Sequence, residues 1–259
     1  MESSVTPLLV IVGPTASGKT AKAIELAKLL NGEIICADSR TVYKGMDIGT
    51  AKPTKDEQSQ AKHHLIDIVN PNENFTVADF QKLANQKIKE LHSINKLPIM
   101  VGGSGLYIDS VIYDYQFLDT GAERDPINPR HLKNGIQKDT VMRKNTIVVG
   151  IGPELSILKD RITKRVEEMV DHGFIEEVIS LYSKYPGGTK SLNAPGYKAF
   201  KDYIDNKISL DEAKTNFVRN DYLLARKQRT WFNRNKSIHW NINREEVLDL
   251  VVGITSKNN

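Results

Sequence analysis

The sequence predicts an α/β fold, a P-loop doubly wound parallel sheet with a helical C-terminal part, and three observations carry that prediction. The segment GPTASGKT (13–20) lies between an apolar run of strand length, LLVIV (8–12), and an amphipathic run, AKAIELAKLL (21–30). Apolar runs of the same kind recur at EIICA (33–37), PIMV (98–101) and TIVVGI (146–151). Beyond residue 154 the strand signal disappears and helical periodicity dominates. Strands alternating with helices require right-handed crossovers between parallel strands, which places a ligand site at the carboxyl ends of the strands.

In the first helical run Ile24, Ala27 and Leu30 fall on one face. EIICA ends at Asp38, and PIMV runs into the glycine loop GGSG (102–105). The fourth strand run is followed by a helical stretch over 154–172 that Gly173 terminates, glycine being the residue that best adopts the left-handed helix end. The clearest helix starts at SLDE (209–212), a capping box in which Ser209 and Glu212 satisfy each other's backbone amides, and runs to about residue 233. At 100° per residue Phe217, Leu224, Trp231 and Phe232 share one side, and Arg219, Tyr222, Arg226 and Arg229 the other. That helix packs by one face and offers cations with the opposite one. Residues 119–145 are polar and give no clear element. No repeat, low-complexity tract or long linker divides the chain, so 1–259 reads as a single domain.

The composition, 39% apolar and 26% charged, excludes a disordered chain. The net charge is only +4, but Lys and Arg crowd into the last third, which points to a polyanionic partner. The single cysteine, Cys36, excludes an internal disulfide and a multi-cysteine metal site and fits a reducing compartment; within its strand run it is a core residue. The first seven residues carry no basic n-region, and LLVIV is too short for a membrane span. The expectation is a cytoplasmic monomer with no membrane partner.

GPTASGKT matches G-x-x-x-x-G-K-[ST] in full, in the strand-to-helix context the motif requires. The backbone of Gly13, Pro14, Thr15, Ala16, Ser17 and Gly18, with the helix N-terminus behind it, forms an anion cradle. Lys19 reaches a terminal phosphate, and the Thr20 hydroxyl ligates Mg²⁺. The loop alone specifies a polyphosphate, whether a nucleotide's or another diphosphate. Asp38, at the end of the second strand, lies beside it, placed to bind Mg²⁺ or accept a proton. His63 and His64 are adjacent, so their side chains diverge toward loop hydrogen bonds and do not share a metal. Trp231, Phe232 and Trp240 read as core. Asp47 and Lys52 either line the site or flank it.

GPTASGKT, DSRTVYKGMDIGTAKP (38–53), HHLIDI (63–68), VGGSGLY (101–107), RVEEMVDHGFIEEV (165–178) and ARKQRTWF (225–232), in that order, resemble the tRNA dimethylallyltransferase family. The resemblance covers most of the chain, and the DIGTAKP and RKQ-TWF blocks are its specific parts. It implies that the phosphate loop grips dimethylallyl diphosphate instead of ATP and that the prenyl group passes to N6 of an adenosine next to the anticodon of tRNA. It also assigns roles. Thr15 contacts the diphosphate near its bridging oxygen, Lys19 and the loop amides stabilise the leaving group, and Thr20 holds Mg²⁺. Asp38 takes the proton from the attacking N6 amine. Ser39, Arg40, Thr41 and Ser104, with Asp38, touch the acceptor nucleotide, which is drawn out of its stack into a pocket.

Two departures mark this chain. The family carries an arginine that reaches the diphosphate three residues before the position of Ala225, where this chain has Tyr222; Arg219 and Arg226, one turn either way, are the expected substitutes. The family also inserts a helical RNA-gripping subdomain after VGG-GLY, whereas about 40 residues separate Tyr107 from TIVVG here. Residues 119–145 are therefore expected to be a reduced insertion, with NPRHLKN (128–134) its remnant and Arg130 its matching arginine. Three other readings compete: a synthase prenylating free AMP, ADP or ATP, a P-loop nucleotide kinase, and a non-catalytic RNA-binding descendant.

Overall fold

Strand runs that are apolar along nearly all their length demand cover on both faces. The structure, a computed structural model that describes residues 7–117, 136–137 and 141–256, provides it. The elements follow in the order β1 (Leu8–Val12), α1 (Lys19–Leu29), β2 (Gly32–Cys36), α2 (Lys55–Gln60), β3 (His63–His64), α3 (Val77–Ser93), β4 (Leu97–Gly102) and α4 (Gly105–Ile112). After these come β5 (Gln116–Phe117), β6 (Ile136–Gln137), β7 (Thr146–Gly150), α5 (Leu155–Asp171) and α6 (Phe174–Lys184). The chain ends with α7 (Pro195–Ile204), α8 (Leu210–Phe232), β8 (Ile238–Trp240) and α9 (Arg244–Ser256).

Six strands form one parallel sheet in the order β3-β2-β4-β1-β7-β8, with β1 between β4 and β7. Alternation along β1 sends Leu8, Val10 and Val12 to one face, where Phe80, Ile88, Tyr107 and Ile108 of α3 and α4 cover them. Leu9 and Ile11 face Ala23, Leu26, Val247 and Val251 of α1 and α9. The helical part has its own core, in which Phe174 meets Tyr197 edge-on at 5.2 Å and Phe200 and Phe217 close the group.

Most of the expected elements stand where the patterns put them, with corrections. Gly173, at φ +96°, ends α5 and starts α6, as a left-handed glycine should. A strand does follow residue 154: β8 pairs Ile238 with Val148 at the sheet edge, and three residues are too few to show a period. The helix α3 has a Thr76–Asp79 capping box and buries Val77, Phe80, Ala84, Ile88 and Leu91. Leu224 is not part of the packed face of α8 but 44% exposed. The covering partner changes along that helix: Ala213 and Phe217 meet the aromatic core, Ala225 meets Leu158 and Ile162 of α5, and Phe232 meets the sheet. The buried stripe therefore rotates past Leu224. Of the expected insertion remnant, 119–145, only residues 136–137 and 141–145 are described; NPRHLKN and Arg130 lie outside the described residues.

At the amino end of β2, away from the strand carboxyl ends, Glu33 has a side chain only 6% exposed. It accepts hydrogen bonds from His64 Nε2 and Lys96 Nζ and lies 3.7 Å from Lys62. Burial alone would raise its carboxyl, but these partners prevail and hold it down at about 2. Burial pushes His64 down against the pull of Glu33, so at neutral pH a neutral imidazole donates to the carboxylate. A folded value below the unfolded one stabilises above the unfolded carboxyl range and is lost as pH falls through it toward about 2. The melting temperature should therefore drop steeply below pH 4.5, and Glu33→Gln should flatten that limb; identical acid limbs would refute the role.

Candidate active site

The carboxyl ends of β1, β2 and β4 converge because glycines allow it. A Cβ on Gly102 would sit 2.0 Å from the Ala37 carbonyl oxygen, and one on Gly13 would sit 2.3 Å from that of Ile151. Any side chain at either position would force the strand ends apart. The phosphate loop leaves β1 with Ala16 at φ +60° and Gly18 at φ +94° and enters α1 at Lys19. Lys19 Nζ donates to the Pro14 carbonyl at 2.6 Å and stays within the loop. Burial pushes its ammonium down to about 8, against the pull of Asp38, and Arg165 pushes the same way. Burial disfavours the Lys19 charge, and a phosphate beside it would restore that charge.

Asp38 follows β2, and the Arg40 amide donates to its Oδ1 at 2.8 Å, which orients the carboxylate. The Ser39 amide donates to Ser104 Oγ at 3.0 Å, and the Ser104 amide to the Ala37 carbonyl at 3.3 Å. The chain after β2 and the loop after β4 are therefore stitched together. Thr41 is buried, and Arg40 Nη1 donates to the Ser191 carbonyl at 3.2 Å. Two buried hydroxyls in this region, Ser17 Oγ and Thr41 Oγ1, have no hydrogen-bond partner among the described residues.

The structure thus joins the residues of 13–20, Asp38 to Thr41 and Ser104 at the strand ends. Arg219 and Arg226 lie exposed on α8. A cation of α5 lies against the loop: Arg161 Nη1 is 3.4 Å from the Ser17 carbonyl and 3.5 Å from that of Ala16, and Arg165 is one turn further on.

Several residues at the site were not legible as such. Gln228 accepts from the Thr15 amide at 2.8 Å and donates to the Gly103 carbonyl at 3.0 Å, so one side chain of α8 ties the phosphate loop to the β4 loop. Its signal was a lone amide near the Phe217–Phe232 phase of an otherwise basic run. Glu177 of α6 accepts the amides of Asp47, Ile48 and Gly49 at 2.9, 2.7 and 3.1 Å and the Tyr197 hydroxyl at 2.7 Å. Burial, reinforced by Glu177, pushes that hydroxyl far up. Lys52 is buried and donates to the Tyr43 carbonyl, Asp47 and Asp67. Asp47 and Lys52 therefore brace the loop behind Asp38 to Thr41. His63 and His64 use separate partners, the Ala61 carbonyl and Glu33.

The profile described as IPP transferase matches residues 41–140 and 126–235. A tRNA dimethylallyltransferase of Halalkalibacterium halodurans is 36% identical over 282 residues, covering 90% of each chain. One from Macrococcus caseolyticus is 37% identical over 292 residues, covering 95% of this chain and 94% of its own. The crystal structure of a full-length tRNA isopentenylpyrophosphate transferase from Bacillus halodurans superposes with a TM-score of 0.83 at 34% identity, over 98% of both chains.

Proposed function

This chain belongs to the IPP transferase family, and from that premise we propose that it transfers the dimethylallyl group of dimethylallyl diphosphate to N6 of an adenosine next to the anticodon in tRNA. The observation that carries the reading is the meeting of a complete phosphate loop with an oriented carboxylate, Asp38, at the carboxyl ends of β1 and β2, which flank β4. The N6 amine attacks the allylic carbon, the carbon–oxygen bond breaks, and the electron pair leaves with the diphosphate. Lys19 and the loop amides receive that charge in a partly desolvated cradle, where fixed dipoles act most strongly. With Oδ1 occupied by the Arg40 amide, Asp38 Oδ2 is the oxygen that takes the N6 proton. A bound diphosphate would offer a partner to Ser17 Oγ, which has none among the described residues.

Mg²⁺ fits this site as a shared ligand. Among the described residues no group of three acidic, His or Cys side chains forms a protein cage, and Mg²⁺ at phosphates typically takes one or two protein ligands and fills the rest with substrate oxygens and water. Thr20, at the start of α1, is the residue that would hold it. Bound there, it would neutralise charge on the diphosphate.

No described helix is long and apolar enough to cross a membrane. The exposed cations of α8, Arg219 and Arg226, suit phosphates of an RNA partner. Incubation with labelled dimethylallyl diphosphate and either tRNA or AMP should label tRNA in strong preference. Label appearing in AMP and none in tRNA would replace this reading with the free-nucleotide synthase.

A further inference from the structure

We propose that Arg165, from α5, supplies the guanidinium that grips the donor diphosphate in this chain, held in place by Asp221 of α8. The inference deepens the donor reading given above and rests on it. Its starting point is Tyr222, which stands where the resemblance expects a diphosphate-binding arginine. Tyr222 is half-buried against the cluster of Leu158, Ile162 and Ala225, against which Ala16 of the phosphate loop also packs, and brings no charge. The same α5 surface carries cations past the loop, with Arg161 Nη1 reaching the Ser17 carbonyl. Arg165 lies four residues on, and so on the same face.

Arg165 Nη2 donates to Asp221 Oδ2 at 2.6 Å, with the two side chains 21% and 16% exposed. Its Nε–H is buried and has no partner among the described residues. A guanidinium serving only as a structural partner normally satisfies its donors with the fork, because a desolvated N–H left unpaired is costly. Here one nitrogen, Nη2, is held, and the Nε–H is unpaired among the described residues. Arg165 stands one turn beyond Arg161, whose Nη1 lies 3.4 Å from the Ser17 carbonyl, and its charge acts on Lys19 in the same direction as burial, which puts the side chain beside the phosphate cradle. Asp221 is pushed up by burial, an effect that Arg165 opposes, so the carboxylate depends on the arginine it positions. A planar fork with one nitrogen held and donors remaining is suited to phosphate oxygens.

The test measures binding of inorganic pyrophosphate and of dimethylallyl diphosphate to the full chain. The Arg165→Gln/Asp221→Asn double variant removes both charges and leaves no unpaired carboxylate. It should keep a melting temperature near wild type and bind both ligands roughly 10- to 100-fold more weakly, the range for one charge-assisted hydrogen bond. Adding Tyr222→Arg to that background should recover most of the loss, which a purely structural role would not predict. Should the double variant fail to fold, Arg165→Lys, which keeps the charge and loses the fork, should weaken pyrophosphate binding about tenfold. Binding within twofold of wild type in the folded double variant, or in Arg165→Lys, would overturn the assignment. Failure of the wild-type protein itself to bind either ligand would overturn the donor reading on which it rests.

Discussion

Asp38→Asn is expected to lower turnover at saturating donor and tRNA by roughly 10²–10⁴-fold, the range for loss of a positioned base. Melting temperature and pyrophosphate affinity should stay close to wild type. The separation follows from the surroundings of the side chain. Asn keeps the Oδ1 that accepts the Arg40 amide at 2.8 Å, so the turn after β2 is preserved. What it lacks is a second oxygen able to take a proton from the attacking amine. The phosphate cradle is built by residues 13–20 on another strand, so the donor has no reason to leave. Single-turnover rates with prebound donor would isolate the chemical step. A variant retaining more than about a tenth of wild-type turnover would remove Asp38 from the mechanism.

The part of this site that was legible in the sequence is the part made by consecutive residues. GPTASGKT carries its own geometry because the anion contacts are backbone amides, and Asp38 follows a recognisable strand run. Ser104 is marked by resemblance alone; the structure puts it where the β4 loop turns into α4. Residues that act across the fold left only faint marks. Gln228 ties two loops that lie 213 and 125 positions away, and its only local sign is that it is an amide near the packed phase of a basic run. Glu177 sits in a block recognisable by resemblance, but its role as acceptor for three consecutive amides depends on how α6 meets residues 47–49. Arg165 and Asp221 come from different helices and become a pair only when α5 and α8 pack. The fold shows the same division. Long periodic runs gave their elements, whereas β8 is a strand only because β7 offers an edge for it to pair with.

Lys19→Ala is expected to lower kcat/KM for dimethylallyl diphosphate by roughly 10²–10³-fold, the cost of removing one preorganised donor to developing charge. Wild type and variant should also differ in their pH profiles. In the free protein burial holds the Lys19 ammonium down at about 8, with Asp38 opposing and Arg165 assisting. The protonated form binds the diphosphate, so kcat/KM should fall as pH rises through about 8. Bound diphosphate favours the charged ammonium, which moves the same titration upward, so kcat at saturating donor should stay flat through that range. Lys19→Ala should show no such limb in kcat/KM. ATP offers the cradle a competing polyphosphate, so it should inhibit competitively against the donor and remain unhydrolysed. A wild-type kcat/KM that is flat to pH 9.5 would deny Lys19 this role. Stoichiometric ATP consumption coupled to product would replace prenyl transfer with a kinase reaction.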